Sequence, residues 1–183
     1  MAQSGQLTSS ALQTLLQGGQ LTGSWTLDES RSEVRLKSKS MWGLAPVKGV
    51  FRQVTGNGEV TAAGNVAGVI TVAAGSIDTN NKRRDKHLRS AEFFDAASHP
   101  DITFTVDGAK PGNEAVQVTG RLTVRTRTRP VSFEARAFTI DGEVWLDAEV
   151  PVNRADFGLT WNQMGMASMD NTINIHAVFT RRP

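Results

Sequence analysis

Alternation of apolar and polar residues at period two runs through most of this chain, and it confines the fold to strands that each bury one face. In the clearest stretch Val116, Val118, Gly120, Leu122 and Val124 fall on one side, while Gln117, Thr119, Arg121, Thr123 and Arg125 fall on the other. The same pattern holds for Ile102-Phe104-Val106, for Val144-Leu146-Ala148-Val150-Val152 and for Ile173-Ile175-Ala177-Phe179. Weaker stretches span Glu33 to Lys39, Val47 to Gln53, Gly58 to Thr61, Val66 to Thr79 and Val131 to Ile140. Together they predict roughly eight strands.

Turn chemistry punctuates the strands. Gly56-Asn57-Gly58, Asp107-Gly108 followed by Pro111-Gly112-Asn113, and Asp141-Gly142 all sit between alternating runs, where hairpin connections belong. Asn80 to Phe94 breaks the alternation. It is polar and free of proline, and it predicts a helix of about three or four turns with Leu88 and Ala91 on one side. Many strands, short turns, one crossing helix and no internal repeat favour a closed barrel or a sandwich.

At 183 residues with 39% hydrophobic content, the chain fits one core-bearing domain. The absence of cysteine excludes disulfides, thiolate metal sites and cysteine nucleophiles. A formal charge of +2 implies no nucleic-acid partner. Residues 1–23 read as an extension to a domain spanning 24–183. In that extension Ser9 or Ser10 is placed to cap a short helix that shows Leu12, Leu15 and Leu16 on one face and ends at Gly18-Gly19. The helix reads as docked on the domain. A membrane- or partner-binding helix is the alternative, and it lacks the basic residues such helices carry. The extension shows neither a basic n-region nor an apolar h-region, so a cytoplasmic setting is expected.

An eight-stranded barrel is either filled by its own side chains or holds one small ligand. The inward faces here are rich in Val, Ile, Ala and Gly, with Phe104, Phe133 and Phe179 among the few large rings and no tyrosine anywhere. Strands of ten residues would enclose a lumen roughly 25 Å tall, which suits a hydrocarbon chain.

More specific than the strand pattern is an ordered series of motifs: Ser76-Ile77-Asp78-Thr79, Arg84-Asp85-Lys86-His87-Leu88-Arg89-Ser90, Phe93-Phe94-Asp95, and His99-Pro100-Asp101-Ile102-Thr103-Phe104. It is flanked by Trp25-Thr26-Leu27-Asp28 with Ser32 and Val34, by Val47-Lys48-Gly49-Val50-Phe51, by Gly120-Arg121-Leu122-Thr123-Val124 with Arg129-Pro130-Val131, and by Arg154-Ala155-Asp156-Phe157-Gly158-Leu159 with Trp161. This series resembles the YceI family of lipocalin-like, polyisoprenoid-binding proteins over residues 24–182. The resemblance implies an all-β fold, an extended eight-stranded antiparallel barrel with one interrupting helix, to which the short N-terminal helix is added. It also implies that the interior holds an isoprenoid lipid, a polyprenyl or isoprenoid-quinone tail, with no other cofactor and no catalysis. Many relatives begin with a secretory leader, which residues 1–23 replace.

The lining such a lipid would meet is expected to include Val34, Leu36, Phe51, Ile102, Phe104, Val118, Leu122, Phe133, Leu146 and Ile175. Trp42, Trp161, Met164 and Met166 are expected in the lumen or on its rim, because aromatic and thioether groups adapt to irregular apolar surfaces. Asp85, His87, Asp95 and His99 invite an acid–base or metal reading, so an enzyme acting on a lipid-linked substrate through Asp85, His87 and His99 is a rival function. Their spacing lacks the helical i,i+4 pair of a metal site, and Asp85 is placed to pair with Arg89 while His87 is placed to bond loop backbone. His176 reads as solvated. Lys82, Arg83, Arg84, Lys86 and Arg89 form either a solvated helix face or a receptor for an anionic head group at the barrel mouth. Arg121, Arg125, Arg127 and Arg129 share one parity, which predicts a positive stripe on the outer wall without the interleaved aromatics of a nucleic-acid site. A ligand-free stress or interaction module is the third reading, with transient membrane contact and homodimer formation as further partner modes.

Overall fold

The computed structural model describes residues 9–112 and 114–183. Ser9–Gln17 form helix α1, and the eleven strand segments are β1 (Gly23–Leu27), β2 (Glu33–Ser40), β3 (Ala45–Phe51), β4 (Val54–Val60), β5 (Val66–Ala73), β6 (Ile77–Asp78), β7 (Asp101–Pro111), β8 (Val116–Val124), β9 (Arg127–Ile140), β10 (Glu143–Asn153) and β11 (Asp170–Arg181). Helix α2 (Lys82–Arg89) lies between β6 and β7.

These segments make eight staves. β11 pairs with β2 through Thr172 to His176 and with β1 through Phe179 to Arg181, so β1 and β2 are two halves of one bent strand. β3 and β4 form a second bent stave, since β2 pairs with β3 and β1 with β4. β5 and β6 form the third, the one pairing with β4 and the other with β3. β7 to β11 follow as a meander, and the β1–β11 pairing closes the ring. Every pairing is antiparallel and the ring is closed, although β9 and β10 pair only from Ala135 to Ile140 and part at the α2 end. The β8 pleat carries out the alternation read from the sequence: its odd positions counted from Val116 are buried and Gln117, Thr119 and Arg121 face water.

The Asp141-Gly142 hairpin forms as predicted, with φ of 51° and 81° at its two central residues and Ile140 paired to Glu143. Two other predicted turns are not turns. Gly56-Asn57-Gly58 lies within β4, opposite Ile70, Val69 and Gly68. Its glycines serve close approach, since a Cβ on Gly56 would stand 3.1 Å from the Val69 carbonyl oxygen and 3.2 Å from the Leu27 side chain. The real turn comes at Thr61 to Asn65, with Gly64 at φ 82°. Asp107-Gly108 sits inside β7, where the register shifts between Val106 and Gly108. Asn113 of the predicted Pro111-Gly112-Asn113 turn lies outside the described residues.

Helix α2 spans eight residues, shorter than the predicted Asn80–Phe94. Asn81 caps it through its side-chain oxygen, which accepts from the Arg84 N–H at 3.0 Å. Ser90 stops it by donating both its N–H and its hydroxyl to the His87 carbonyl, and successive turns then carry Phe93 and Phe94 under the barrel. At the other end α1 stops at Gly19, whose φ of 71° lets Gln20 N–H reach the Leu15 carbonyl in a six-to-one closure. The Ser9 and Ser10 side chains assigned to its cap lie outside the described ones. Leu12 and Leu16, with Leu21, join the barrel core, so α1 covers one end as α2, Phe93, Phe94, Phe157 and Leu159 cover the other.

Candidate functional site

The barrel is hollow between its two covered ends. A chamber of about 150 Å³ lies beneath α1, where only the exposed Asn57 and Glu59 interrupt an apolar lining. A second of about 110 Å³ lies above Phe93 and Phe94, where Arg154 and Asn171 are the polar members. Both chambers touch Ile70, Phe104, Phe133 and Ile175, which make the waist between them. The rings of Phe104 and Phe133 meet there at 5.4 Å between centroids. Gly120 makes this possible: a Cβ at that position would lie 2.6 Å from the Phe104 ring and 2.3 Å from the Thr105 carbonyl oxygen. An apolar cavity of about 150 Å³ stays dry and admits a benzene-sized group.

Most of the lining anticipated from the sequence is inside. Phe104, Val118, Phe133, Leu146 and Ile175 line the α1-side chamber. Val34, Leu36, Phe51, Ile102 and Leu122 line the α2-side chamber. Four expected residues are not in the lumen. Trp161 stands at the α2 mouth with its ring 4.0 Å from that of His87. Trp42 and Met164 project into water, 68% and 76% exposed, and Met166 sits half-buried on the same loop as Met164. They lie at the mouth rather than inside, for a local reason: Trp42 occupies the tip of the β2–β3 hairpin and Met164 a short 3-10 turn, both with left-handed backbone outside the barrel pleat.

Beyond the α2-side chamber, and sharing Leu36, Phe93, Arg154 and Asn171 with it, opens a cleft of about 590 Å³. Lys39, Arg83, Arg84 and Arg154 line it together with His87, and no Asp or Glu does. Arg154 is 6% exposed, and its guanidinium donates only to the backbone carbonyls of Leu159, Trp161, Ala167 and Ser168. Burial holds its pKa below the usual guanidinium range, and no carboxylate pairs with it among the described residues. Its face lies 5.5 Å from the Phe93 ring. Arg84 braces the cleft wall by donating Nε to the Thr79 hydroxyl and Nη2 to the Thr79 carbonyl. The sequence flagged Arg83 and Arg84 as a possible anion receptor, but Arg154 and Asn171 were missed as lining. Their one signal was the Arg154-to-Leu159 motif, an arginine where a strand ends.

The candidate catalytic cluster is dispersed. Asp85, 6% exposed, does not pair with Arg89; it accepts from the N–H and hydroxyl of Thr79 at 2.9 and 2.5 Å and locks the start of α2 to β6. Arg89 donates instead to the Ile77 carbonyl. His87 faces Glu92 at 3.3 Å rather than loop backbone, and its buried Nε2 has no hydrogen-bond partner among the described residues. His99 faces Asp95 at 3.9 Å. The described residues contain no group of three or more metal-ligating side chains. His176 is not simply solvated, since its Nδ1 lies 2.6 Å from Asp147 Oδ1 on the outer wall. The predicted arginine stripe is broken because the hairpin inverts parity: Arg129 pairs with inward Leu122 and Arg127 with Val124, while outward Arg121 is bound to Asp107.

A closed eight-stranded antiparallel barrel with a dry lumen and one polar mouth is a lipocalin-like fold. A model of the YceI-like domain matches residues 25–180, and the chain belongs to that family. It is 36% identical over 107 residues to Protein YceI of Salmonella arizonae and of Salmonella paratyphi B, a match covering 55% of this chain and 56% of each relative. The matched region thus spans little more than half the length of these curated relatives. Among solved structures, Burkholderia cenocepacia BcnA superposes with a TM-score of 0.76 at 22% identity, covering 83% of this chain and 98% of that one. A polyisoprenoid-binding domain from Saccharophagus degradans, implicated in plant cell wall breakdown, superposes with a TM-score of 0.71 at 14% identity, covering 86% and 98%. At these identities the two show the shared fold. Campylobacter jejuni YceI protein follows at 0.65, 25% identity, 75% and 85% coverage.

Proposed function

We propose that this barrel binds and carries a long apolar isoprenoid lipid, of polyprenyl or isoprenoid-quinone type, and does no chemistry on it. The observation that carries the reading is an apolar lumen set against a cation-lined cleft, the two sharing Leu36, Phe93, Arg154 and Asn171 as their common wall. That is the shape of an amphiphile: tail inside, head group at the α2 mouth. The polyisoprenoid-binding domain of the same fold supports it.

Each buried CH₂ contributes about 0.8 kcal/mol, so affinity comes from the tail and needs few polar anchors. Each chamber holds about one isoprene unit by the benzene-sized measure. A longer tail therefore has to swing Phe104 and Phe133 off the waist and join the chambers. The cleft then selects the head group. Four cations on a lining without Asp or Glu favour an oxyanion, such as a polyprenyl phosphate, over a neutral quinone. Asp85, His87 and His99 each face a different partner, Thr79, Glu92 and Asp95, rather than one another, which supports the binding reading over the catalytic rival.

The test is organic extraction of protein purified without detergent, followed by mass spectrometry, and then loading with geranylgeraniol or geranylgeranyl diphosphate. A stoichiometric isoprenoid in the extract is expected, as is tighter binding of the diphosphate by about tenfold or more. An extract without lipid, together with no uptake of either probe, would remove the carrier function. Equal uptake of the two probes would keep it and remove the oxyanion preference.

A further inference from the structure

Six large apolar side chains are more than one-third exposed among the described residues, and five of them stand together at the α2 mouth: Met41, Trp42, Leu44, Trp161 and Met164. They come from two loops, the β2–β3 hairpin tip and residues 158–169, which are hydrogen-bonded to each other. Trp42 N–H donates to the Met166 carbonyl at 3.1 Å, and Ser168 N–H donates to the Lys39 carbonyl at 2.9 Å. The exposure is built in. Met41 and Trp42 hold φ of 51° and 54° ahead of Gly43 at 90°, and Met164 holds 55°, a conformation that bulky side chains rarely adopt. Leu44, the most exposed of all, is 82% open to water.

Around this apolar tip cations outnumber acids, the acidic members being Glu92, which faces His87, and Asp170, which is bonded to Ser168. Lys39 on β2 and Lys82, Arg83 and Lys86 on α2 are exposed, and none of them makes an ion pair among the described residues. The same hairpin sets Lys37 directly opposite Lys48, a like-charge cross-strand pair that works against the ribbon's own stability. An exposed tryptophan with aliphatic neighbours and a basic surround is the composition that settles at a lipid–water boundary, the ring among head groups and the cations on anionic lipid.

We infer that the β2–β3 tip and the 158–169 loop form a landing surface for an anionic membrane. Leu44, Trp42, Met41 and Met164 insert among the head groups, and Lys39, Lys82, Arg83 and Lys86 hold the lipid phosphates. The tip borders the cleft through Lys39, Ser40, Ala167 and Ser168, so landing sets the barrel mouth against the bilayer and shortens the path of an apolar cargo through water. The outer face of β8 is polar at Gln117, Thr119 and Arg121, and the apolar outer-wall group of Phe138, Ile140 and Trp145 on β9 and β10 is separate from the tip.

The experiment is flotation of the full chain with phosphatidylcholine vesicles, with and without phosphatidylglycerol, alongside sedimentation velocity of the protein alone. The wild-type chain is expected to partition at least about tenfold more onto the anionic vesicles and to be released by salt. Trp42→Ser with Leu44→Ser, both on the exposed tip, should cut that partition about tenfold with the melting temperature unchanged. Lys82→Glu with Arg83→Glu should do the same. Wild-type protein that ignores both vesicles, or floats equally with both, overturns the proposal, as do variants that bind like wild type. A concentration-dependent dimer abolished by the Trp42→Ser and Leu44→Ser pair, with no vesicle binding, overturns it in favour of a second copy as the occupant. None of these readouts needs cargo, so a failed landing surface is distinct from a failed carrier.

Discussion

The two ends of the barrel are closed by different physics. At the α1 end Leu12, Leu16 and Leu21 cover an apolar chamber, and the segment that follows α1 is tied down by the Trp25 indole on the Leu21 carbonyl and by Arg181 on the Gln20 and Thr22 carbonyls. At the α2 end the closure is a network: Asp85 on Thr79, Arg84 on Thr79, Arg89 on Ile77, and Arg154 on four carbonyls of the 158–169 loop. A hydrophobic cap is non-directional and can slide or lift without orphaning polar groups. A hydrogen-bonded frame holds one geometry and is costly to break in part. The difference assigns direction to the lumen, with a dry blind end under α1 and a shaped, charged mouth under α2.

Replacing the central member of the frame should give the largest effect. Arg154→Leu leaves the carbonyls of Leu159, Trp161 and Ser168 without the guanidinium donor, while Ala167 keeps the Asn162 amide, and a loss of about 3 kcal/mol or more in urea denaturation is expected. A change within about 0.5 kcal/mol would mean that the loop is held by other contacts and that the two ends are alike. At the hydrophobic cap, Leu16→Ala should cost about 2 kcal/mol, with faster loss of bound lipid in a transfer assay, because Leu16 is one of the two buried α1 leucines that close the chamber. Slow release in that variant would place the exit solely at the α2 mouth and sharpen the contrast.

Acid should have the smallest effect. On the outer wall Asp28 is held at about 2, below its ordinary 3.8, by hydrogen bonds from Ser30 and then Arg31. Glu143 is also held below the usual carboxylate range, chiefly by hydrogen bonds from Arg31. A carboxylate whose pKa is lowered by folding contributes stability above its ordinary pKa and loses it as pH falls through the folded value. The Asp28 contribution should therefore fade between pH 3.8 and about 2, and Arg31→Gln should flatten that part of the melting-temperature profile. Both carboxylates lie at the surface, a quarter exposed and reached by solvent, so the change should be small beside that of Arg154→Leu. An equal change would place outer-wall pairs, rather than the α2 frame, in charge of stability.

What could be read without the fold was local. Alternation depends only on the pleat, so Val118, Leu122, Phe133, Leu146 and Ile175 were assignable to the interior from parity, and Asp141-Gly142 to a hairpin from backbone preference. The ordered motifs carried the family for the same reason, being contiguous. Glycine was ambiguous because the same residue serves a turn at Gly142 and close strand approach at Gly56 and Gly120; only the neighbouring strand tells them apart. Parity could not be carried through the turn at Arg125, where the hairpin sent Arg127 and Arg129 to the other face from Arg121.

The sequence by itself determined a barrel of amphipathic strands with an apolar inside, because side-chain direction in a strand follows from position along the chain. Tertiary structure alone decided the mouth. Its cleft joins residues from 36–49, 79–93 and 154–171, and Arg154 becomes a frame only where ring closure brings the 158–169 loop beside the β2–β3 hairpin. Contacts between distant segments depend on the register of every strand between them, and no local pattern encodes that sum.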